Sequence, residues 1–119
     1  MTASPPSSGV TVLIDDVRSF RDARPALVAR TSAAGVVLLE SLRPTLIQDL
    51  WLDHDLGGED TIWPVLRLLE DASLRGSPLD IGTVRIHAAR SGPAHRMGVS
   101  LRRAGYRAER STDLRLWTW

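Results

Sequence analysis

Short apolar runs are the feature of this sequence that most constrains its fold. Residues 10–14 (VTVLI) form a continuous apolar, β-branched run, which is typical of a short strand buried on both faces of a parallel sheet. Comparable runs occupy residues 26–30 (ALVAR), 45–52 (TLIQDLWL) and 82–89 (GTVRIHAA), and residues 106–119 supply one or two more strands. The chain is therefore predicted to build a mostly parallel sheet.

Segments with helical spacing of their apolar residues separate these runs. The predicted helices cover residues 33–43, 62–74 and 91–105. Thr31 or Ser32 is the predicted N-cap of the first helix, Thr61 that of the second and Ser91 that of the third. Pro44 is predicted to end the first helix and Gly105 the third. The predicted inward face of the second helix consists of Ile62, Val65, Leu66, Leu69 and Ala72. Strands that alternate with helices at this spacing predict an α/β fold with helices on both faces of the sheet. Trp117 and Trp119 are predicted to cover the edge of the core, with ligand binding as the less favoured alternative.

Length and composition limit the protein to one domain. The first nine residues (MTASPPSSG) are small, polar and rich in proline, so residues 1–9 are predicted as a disordered tail and residues 10–119 as the domain. Cysteine is absent, which excludes disulfides, a thiol nucleophile and a thiolate metal site. The chain has neither an apolar run of membrane-spanning length nor a signal-peptide pattern, so we expect no membrane partner and a cytoplasmic location.

Charge is balanced over the whole chain but uneven along it. The 15 basic residues, all of them arginine, nearly cancel the 14 acidic ones, which argues against a nonspecific nucleic-acid binder. Between Arg85 and Arg115 there are eight arginines and only two acids. A solvated arginine surface is the simpler interpretation of this segment, and a local basic binding face is the alternative.

Ionisable residues follow three of the predicted strands. These residues are Asp15 and Asp16 after the first strand, Asp53, His54 and Asp55 after residues 45–52, and His87 near the end of residues 82–89. In parallel α/β sheets the ligand crevice lies at the carboxyl ends of the strands, so these side chains are predicted to converge there. The alternative is that they are polar only because the strands end in solvent.

Carboxylates that converge repel one another unless a cation or a proton intervenes. Asp15, Asp16 and Asp53 are therefore predicted as ligands of a divalent metal, Mg²⁺ or Mn²⁺, which takes few carboxylates and completes its shell with water and phosphate oxygens. The alternative is a hydrogen-bonded network in which some of the acids are neutralised. Asp55 is predicted to orient or activate a water molecule.

Two histidines and the opening of the third helix complete the predicted site. His54 and His87 are candidates for proton transfer near neutral pH, with structural hydrogen bonding as the alternative. Arg90 and the backbone N–H groups at Ser91 form a predicted anion site. His95, about one turn further along, is predicted to lie on the surface.

The motifs resemble a known fold family. The Asp15-Asp16 pair and the strand-end Asp53 resemble response-regulator receiver domains, in which such residues bind magnesium and accept phosphate. The resemblance implies a receiver or flavodoxin-like three-layer sandwich with a five-stranded sheet in the order 2-1-3-4-5. However, Ala88 stands where receivers carry a hydroxyl residue, and the chain has no lysine for the position after the fifth strand. Ordinary phosphorelay through Asp53 is therefore the least favoured function.

A divergent receiver-like group is more similar. Residues 11–104 resemble cyclic-phosphate processing receiver domains through LIDD, WLDHDLGG, DTIWPVLRLLE and VRIHAARSGPAHRM. The resemblance implies that the active site contains Asp15, Asp16, Asp53, His54, Asp55 and His87. It also implies a phosphoesterase or phosphotransfer step on cyclic or terminal phosphates of a small molecule or an RNA end, as in RNA repair. The alternative is an inactive pseudo-receiver that binds a partner protein.

Overall fold

The structure is a computed structural model that describes residues 9–119, and its centre is a parallel sheet. The described part of the chain contains seven strands: β1 (Val10–Ile14), β2 (Ser19–Phe20), β3 (Leu27–Ala29), β4 (Ile47–Leu52), β5 (Ile81–Ile86), β6 (Ala108–Arg110) and β7 (Trp117–Thr118). Five of them form one sheet in the order β3-β1-β4-β5-β6, and every neighbouring pair is parallel. The predicted α/β class with a five-stranded sheet is confirmed.

The strand order carries one feature that the sequence did not predict. The two-residue strand β2 lies between β1 and β3 along the chain and pairs antiparallel with β7 outside the main sheet. Because of this extra strand, the order differs in numbering from the predicted 2-1-3-4-5. When only the strands of the main sheet are counted, the connections follow the predicted path.

The three helices found among residues 9–119 pack on one face of the sheet. They are α1 (Ser32–Ser41), α2 (Trp63–Leu74) and α3 (Ser91–Arg103), and their buried side chains belong to one core cluster. The steps β3 to β4, β4 to β5 and β5 to β6 cross the sheet in the same direction, so right-handed crossovers put their helices on the same side. The prediction of helices on both faces is wrong within the described residues, because the β1–β3 connection contains β2 and no helix.

The other face of the sheet is covered by aromatic side chains. Leu13 and Trp51 of the sheet pack with Phe20 and Trp117, which come from the β2–β7 pair. The Phe20 and Trp117 rings stack with centroids 4.9 Å apart, and Trp51 meets Trp117 edge-on at 5.4 Å. Trp117 is 1% exposed, as predicted for a residue that covers the core. Trp119 is 71% exposed, so the same prediction is wrong for Trp119.

The larger core lies between the sheet and the helices. Alternate residues of β1, β4 and β5 contribute to it, together with the predicted inward face of α2, all five of whose residues are buried: Ile62, Val65, Leu66, Leu69 and Ala72. A Cβ atom added to Gly35 of α1 would stand 2.9 Å from Ile14 Cδ1. Glycine at this position therefore lets α1 approach β1 closely.

The helix ends agree with the sequence in part. Thr31 is the N-cap of α1, and its hydroxyl accepts the Ala34 N–H at 3.1 Å, as predicted. The predicted caps Thr61 and Ser91 are wrong, because Ile62 and Arg90 hold the N-cap positions and neither makes a side-chain capping bond. Gly105 follows α3 with a φ of 92°, which suits a glycine stop.

Other expectations concern the surface and the chain's beginning. His95 is exposed, as predicted. The predicted tail, residues 1–9, lies outside the described residues except for Gly9. Across residues 9–119, α1, α2 and α3 are all too short or too polar to cross a membrane.

Candidate functional site

The carboxyl ends of three neighbouring strands converge on a small cluster. Ile14, Leu52 and Ile86 lie side by side in the sheet, and each is followed directly by an ionisable residue. The Asp53 N–H donates to the Ile14 carbonyl at 3.1 Å, and the His87 N–H donates to the Leu52 carbonyl at 3.0 Å. One candidate ligand atom each from Asp15, Asp53 and His87 lies within 4.8 Å of the others. We call these three side chains the acid–imidazole cluster.

Asp15 is the buried anchor of the cluster. Its carboxylate is fully inaccessible to solvent, and its Oδ1 atom accepts the N–H groups of Val17 at 2.9 Å and of Arg18 at 2.8 Å. Its Oδ2 atom lies 2.8 Å from Nε2 of His87. Burial by itself would raise the pKa of Asp15, but the His87 hydrogen bond and the two backbone N–H groups lower that pKa to about 2. Asp15 is therefore a carboxylate at neutral pH.

His87 is enclosed by aromatic rings. Its side chain is 1% exposed, and its ring centroid lies 4.6 Å from that of Trp117 and 6.2 Å from that of Trp51. Because Asp15 is ionised, Nε2 of His87 is the donor in their hydrogen bond. Nδ1 is buried and has no hydrogen-bond partner among residues 9–119. This enclosure suits a residue that orients Asp15 better than one that exchanges protons with a substrate.

Asp53 has the opposite electrostatic character. Its side chain is half-buried, and its Oδ1 atom accepts the His54 N–H at 2.8 Å. Burial and the negative charge of Asp15 raise the pKa of Asp53 to about 6, although His87, the His54 N–H and Arg18 oppose the rise. Two carboxyl groups of one cluster thus have pKa values on opposite sides of the ordinary value, which is characteristic of functional sites.

The remaining predicted residues of the β4–α2 loop lie around the cluster and not in it. Asp55 is exposed, and its Oδ1 atom accepts the Gly57 N–H at 3.1 Å. His54 is half-buried and meets Trp63 edge-on, with ring centroids 6.3 Å apart. The loop turns at Gly57 and Gly58, whose φ angles of 90° and 57° favour glycine.

Asp16 and the start of α3 are also separate from the cluster. Asp16 is half-buried, and its Oδ2 atom lies 3.2 Å from the position that a Gly57 Cβ would occupy. Glycine at position 57 thus leaves room for this carboxylate. Arg90 and Ser91 are exposed at the N-terminus of α3, where the first N–H groups lack helical acceptors. The metal role predicted for Asp16 and the anion role predicted for Arg90 and Ser91 stay predictions.

A comparison with protein families bears on this geometry. A family model described as the cyclic-phosphate processing receiver domain matches residues 10–103. The chain belongs to this family. Comparisons with curated proteins and with solved structures give no match. The match confirms the resemblance, and it makes the protein a receiver domain associated with cyclic-phosphate processing.

Arg18 is a cation beside the cluster of this cyclic-phosphate processing receiver domain that the sequence pattern did not indicate. The Arg18 guanidinium donates through Nη1 to the His87 carbonyl at 3.1 Å, and its charge opposes the rise in the pKa of Asp53. Residues 15–26 carry no clear periodicity, so the sequence predicts only a polar loop there. The one available signal was the position of Arg18, three residues after the strand-end Asp15.

The acid–imidazole cluster of this receiver domain fits a hard divalent cation. Asp15 and Asp53 supply carboxylate oxygens, the donor type that Mg²⁺ and Mn²⁺ prefer. Burial and repulsion by Asp15 raise the pKa of Asp53, and a bound cation would relieve the repulsion. The chemistry of the donors and their mutual repulsion therefore both agree with the predicted metal.

Proposed function

We propose that this cyclic-phosphate processing receiver domain is a phosphoesterase or phosphotransferase that depends on Mg²⁺ or Mn²⁺ and acts on cyclic or terminal phosphates. Its substrate is a phosphate-containing small molecule or an RNA end, its place is the cytoplasm, and RNA repair is the expected context. The observation that carries the proposal is the convergence of Asp15, Asp53 and His87 at one sheet edge, with two carboxyl groups of opposite pKa shift.

The proposed metal site uses the carboxylates. Asp15 and Asp53 hold the ion, and Asp16, which follows Asp15 directly, is the third proposed ligand. A bound divalent ion stabilises the negative charge that develops on the phosphate oxygens. His87 is a positioning residue, because its N–H fixes Asp15 Oδ2 from inside the protein at 2.8 Å.

The proposed reaction is hydrolysis of a phosphate ester. Water adds to phosphorus, one P–O ester bond breaks, and a proton passes to the departing oxygen. Asp55, exposed at the start of the loop, orients the water, and the half-buried His54 transfers a proton. Asp53 is proposed either as a metal ligand alone or as the group that attacks phosphorus, and its pKa of about 6 makes both protonation states accessible near neutral pH.

The proposed phosphate site uses positive charge at the start of α3. Arg90 and the free N–H groups near Ser91 follow His87 within four residues, and both side chains are exposed. A helix N-terminus beside an arginine favours an anion.

Turnover measurements test the proposal. The purified protein is incubated with nucleoside 2′,3′-cyclic monophosphates and with RNA that carries a terminal phosphate, with Mg²⁺, with Mn²⁺ and with a chelator. We expect metal-dependent hydrolysis that Asp53→Asn lowers at least a hundredfold. Asp71→Asn, which changes an exposed carboxyl on α2, is the matched control and keeps wild-type activity. Activity that Asp53→Asn leaves unchanged contradicts the proposed site.

One observation favours a second candidate, a pseudo-receiver that binds a partner protein without turnover. Both oxygens of Asp15 already accept hydrogen bonds inside the protein, so this carboxylate is satisfied without a cation. This candidate predicts no thermal stabilisation by divalent ions or phosphate mimics. The metal-dependent enzyme predicts stabilisation by Mg²⁺ or Mn²⁺, so one titration separates the two.

A further inference from the structure

A cation and an exposed aromatic ring lie together beside the acid–imidazole cluster. The Cζ atom of Arg18 stands over the Trp119 ring, 5.4 Å from its centroid. Nη1 of the same guanidinium donates to the His87 carbonyl at 3.1 Å. One side chain thus connects the indole with the strand end that carries His87.

The position of Arg18 is fixed by several bonds. Its backbone N–H donates to Asp15 Oδ1 at 2.8 Å, and its carbonyl accepts a hydrogen bond from the Arg30 guanidinium. Of the five N–H groups of the Arg18 guanidinium, only one on Nη1 has an acceptor among residues 9–119. Within that range no carboxylate forms an ion pair with Arg18. The charge is therefore held in place and available to an anion.

Trp119 differs from the other tryptophan of the same segment. Trp117 is fully packed against Phe20 and His87, whereas Trp119 leaves 71% of its surface to solvent. A large aromatic side chain that packs on a cation and stays open on the rest of its surface provides a plane for stacking. Stacking on such a plane tolerates any nucleobase, since every base has a π-face.

We propose that Arg18 binds the substrate phosphate and that Trp119 stacks on a nucleobase of the same substrate, so that the ligand is a nucleoside phosphate and not a base-free phosphate ester. This inference rests on the proposed function, because it takes the phosphate to the acid–imidazole cluster. A nucleotide carries a planar base and a phosphate one ribose apart. Arg18 occupies the corresponding place between an aromatic plane and the strand end that carries His87 of the acid–imidazole cluster.

Calorimetric binding with and without a base tests the inference. The probes are adenosine 2′,3′-cyclic monophosphate and glycerol 1,2-cyclic phosphate, each measured in a chelator so that the proposed metal-dependent hydrolysis does not consume them. We expect the wild type to bind the nucleotide more tightly, and Trp119→Ala to weaken nucleotide binding about five- to tenfold while the affinity for the glycerol ester stays within twofold. Trp119→Phe restores most of the loss. Arg18→Met weakens the binding of both probes because it removes the positive charge, and it keeps a side chain of similar length. Leu114→Ala, a change at another exposed apolar residue, is the matched control and alters neither affinity.

A third probe shows whether the ligand is a free nucleotide or an RNA end. A trinucleotide that ends in a 2′,3′-cyclic phosphate binds more tightly than the mononucleotide if an RNA end is the ligand, and equally if a free nucleotide is. Both results support the nucleobase contact as long as the affinity depends on Trp119. Equal wild-type affinity for the nucleotide and the glycerol ester, or a Trp119→Ala variant that binds the nucleotide normally, overturns the inference.

Turnover by the same proteins keeps the two proposals apart. Binding that depends on Trp119 without hydrolysis contradicts the proposed enzyme and supports this inference. Hydrolysis whose KM and kcat for the nucleotide are unaffected by Trp119→Ala supports the enzyme and overturns this inference. Failure to bind either probe overturns the inference, and the hydrolysis assay then decides the proposed function on its own.

Discussion

Asparagine in place of one or the other aspartate of the acid–imidazole cluster is expected to change the free energy of unfolding in opposite directions. Burial and Asp15 raise the pKa of Asp53 to about 6, so the metal-free fold is strained by the Asp53 charge at neutral pH. Asn in its place removes that charge and keeps the size of the side chain. Asp15 has its pKa lowered to about 2, chiefly because His87 and two backbone N–H groups stabilise its charge against the effect of burial. Asp53→Asn should stabilise the metal-free protein, and Asp15→Asn should destabilise it.

The magnitudes follow from the pKa values. A tenfold change in proton affinity is worth about 1.4 kcal/mol, so a rise from 3.8 to about 6 corresponds to about 3 kcal/mol. Asp53 is only half-buried, so water screens part of this electrostatic free energy. We therefore expect Asp53→Asn to raise the free energy of unfolding by about 2 kcal/mol at pH 7.5. The same arithmetic gives a loss of about 2 kcal/mol for Asp15→Asn.

The pH dependence has a definite sign. The pKa of Asp53 is higher in the folded protein than in the unfolded chain, where it is 3.8. The stabilising contribution of this carboxyl to folding is therefore complete below pH 3.8 and is lost as the pH rises through about 6. The gain of Asp53→Asn should therefore be full at pH 7.5 and small at pH 4. The contribution of Asp15 is present above pH 3.8 and disappears only as the pH falls through about 2, so Asp15→Asn should still be destabilising at pH 4.

Urea and thermal unfolding in a chelator measure these differences. At pH 7.5 we expect a higher midpoint for Asp53→Asn, a lower one for Asp15→Asn, and no change for the exposed control Asp71→Asn. Added Mg²⁺ or Mn²⁺ should raise the midpoint of the wild type more than that of Asp53→Asn. An Asp53→Asn protein that is less stable than the wild type at pH 7.5, or equally stabilised at pH 4 and 7.5, refutes the electrostatic reasoning.

Three further predictions concern the fold around the site. Trp117→Ala should lower the free energy of unfolding by about 3–5 kcal/mol, measured by urea unfolding, because it leaves a cavity among the aromatic side chains that pack on His87. A loss below about 1 kcal/mol would contradict that packing. Thr31→Ala should cost about 1 kcal/mol through loss of the α1 cap, while Ser91→Ala should be nearly neutral, and similar losses for both would contradict the assigned caps. Gly35→Val should lower the thermal midpoint of unfolding because the valine side chain would collide with Ile14. Gly58→Ala has open space around it and should lower the free energy of unfolding by only about 1 kcal/mol, because the φ of residue 58 is positive. A larger loss of stability for Gly58→Ala than for Gly35→Val would contradict both explanations.

The sheet could be predicted because its signals are local. The β-branched run of β1 indicates a strand buried on both faces, the apolar run of β4 indicates a further strand, and the helical spacing of α2 is continuous. Parallel strands in such an order end at the same edge, so convergence of Asp15, Asp53 and His87 followed from the pattern.

The layers of the fold could not be predicted in the same way. Strands β2 and β7 have two residues each and pair across nearly the whole chain, so neither leaves a local pattern. The second face of the sheet was predicted to carry helices because alternation alone does not show that the β1–β3 connection lacks one. Its cover is instead a set of aromatic contacts between residues that are distant in sequence.

The details of the site depend on contacts that spacing does not encode. The hydrogen bond between Asp15 and His87 joins residues 72 apart, and only the packing of Trp117 shows how deeply the imidazole is buried. Arg18 reaches His87 because the backbone turns back on Asp15, and a polar loop gives no sign of that turn. Trp119 was predicted, like Trp117, to cover the edge of the core, whereas 71% of its surface is exposed.

The most direct test of a shared cation site is an anomalous-scattering map from crystals grown with Mn²⁺. We expect one ion at coordination distance, about 2.0–2.5 Å, from carboxylate oxygens of both Asp15 and Asp53. The peak should disappear in crystals of Asp53→Asn. A manganese ion bound elsewhere, or no ion at this sheet edge at millimolar Mn²⁺, would contradict a cation site shared by Asp15 and Asp53.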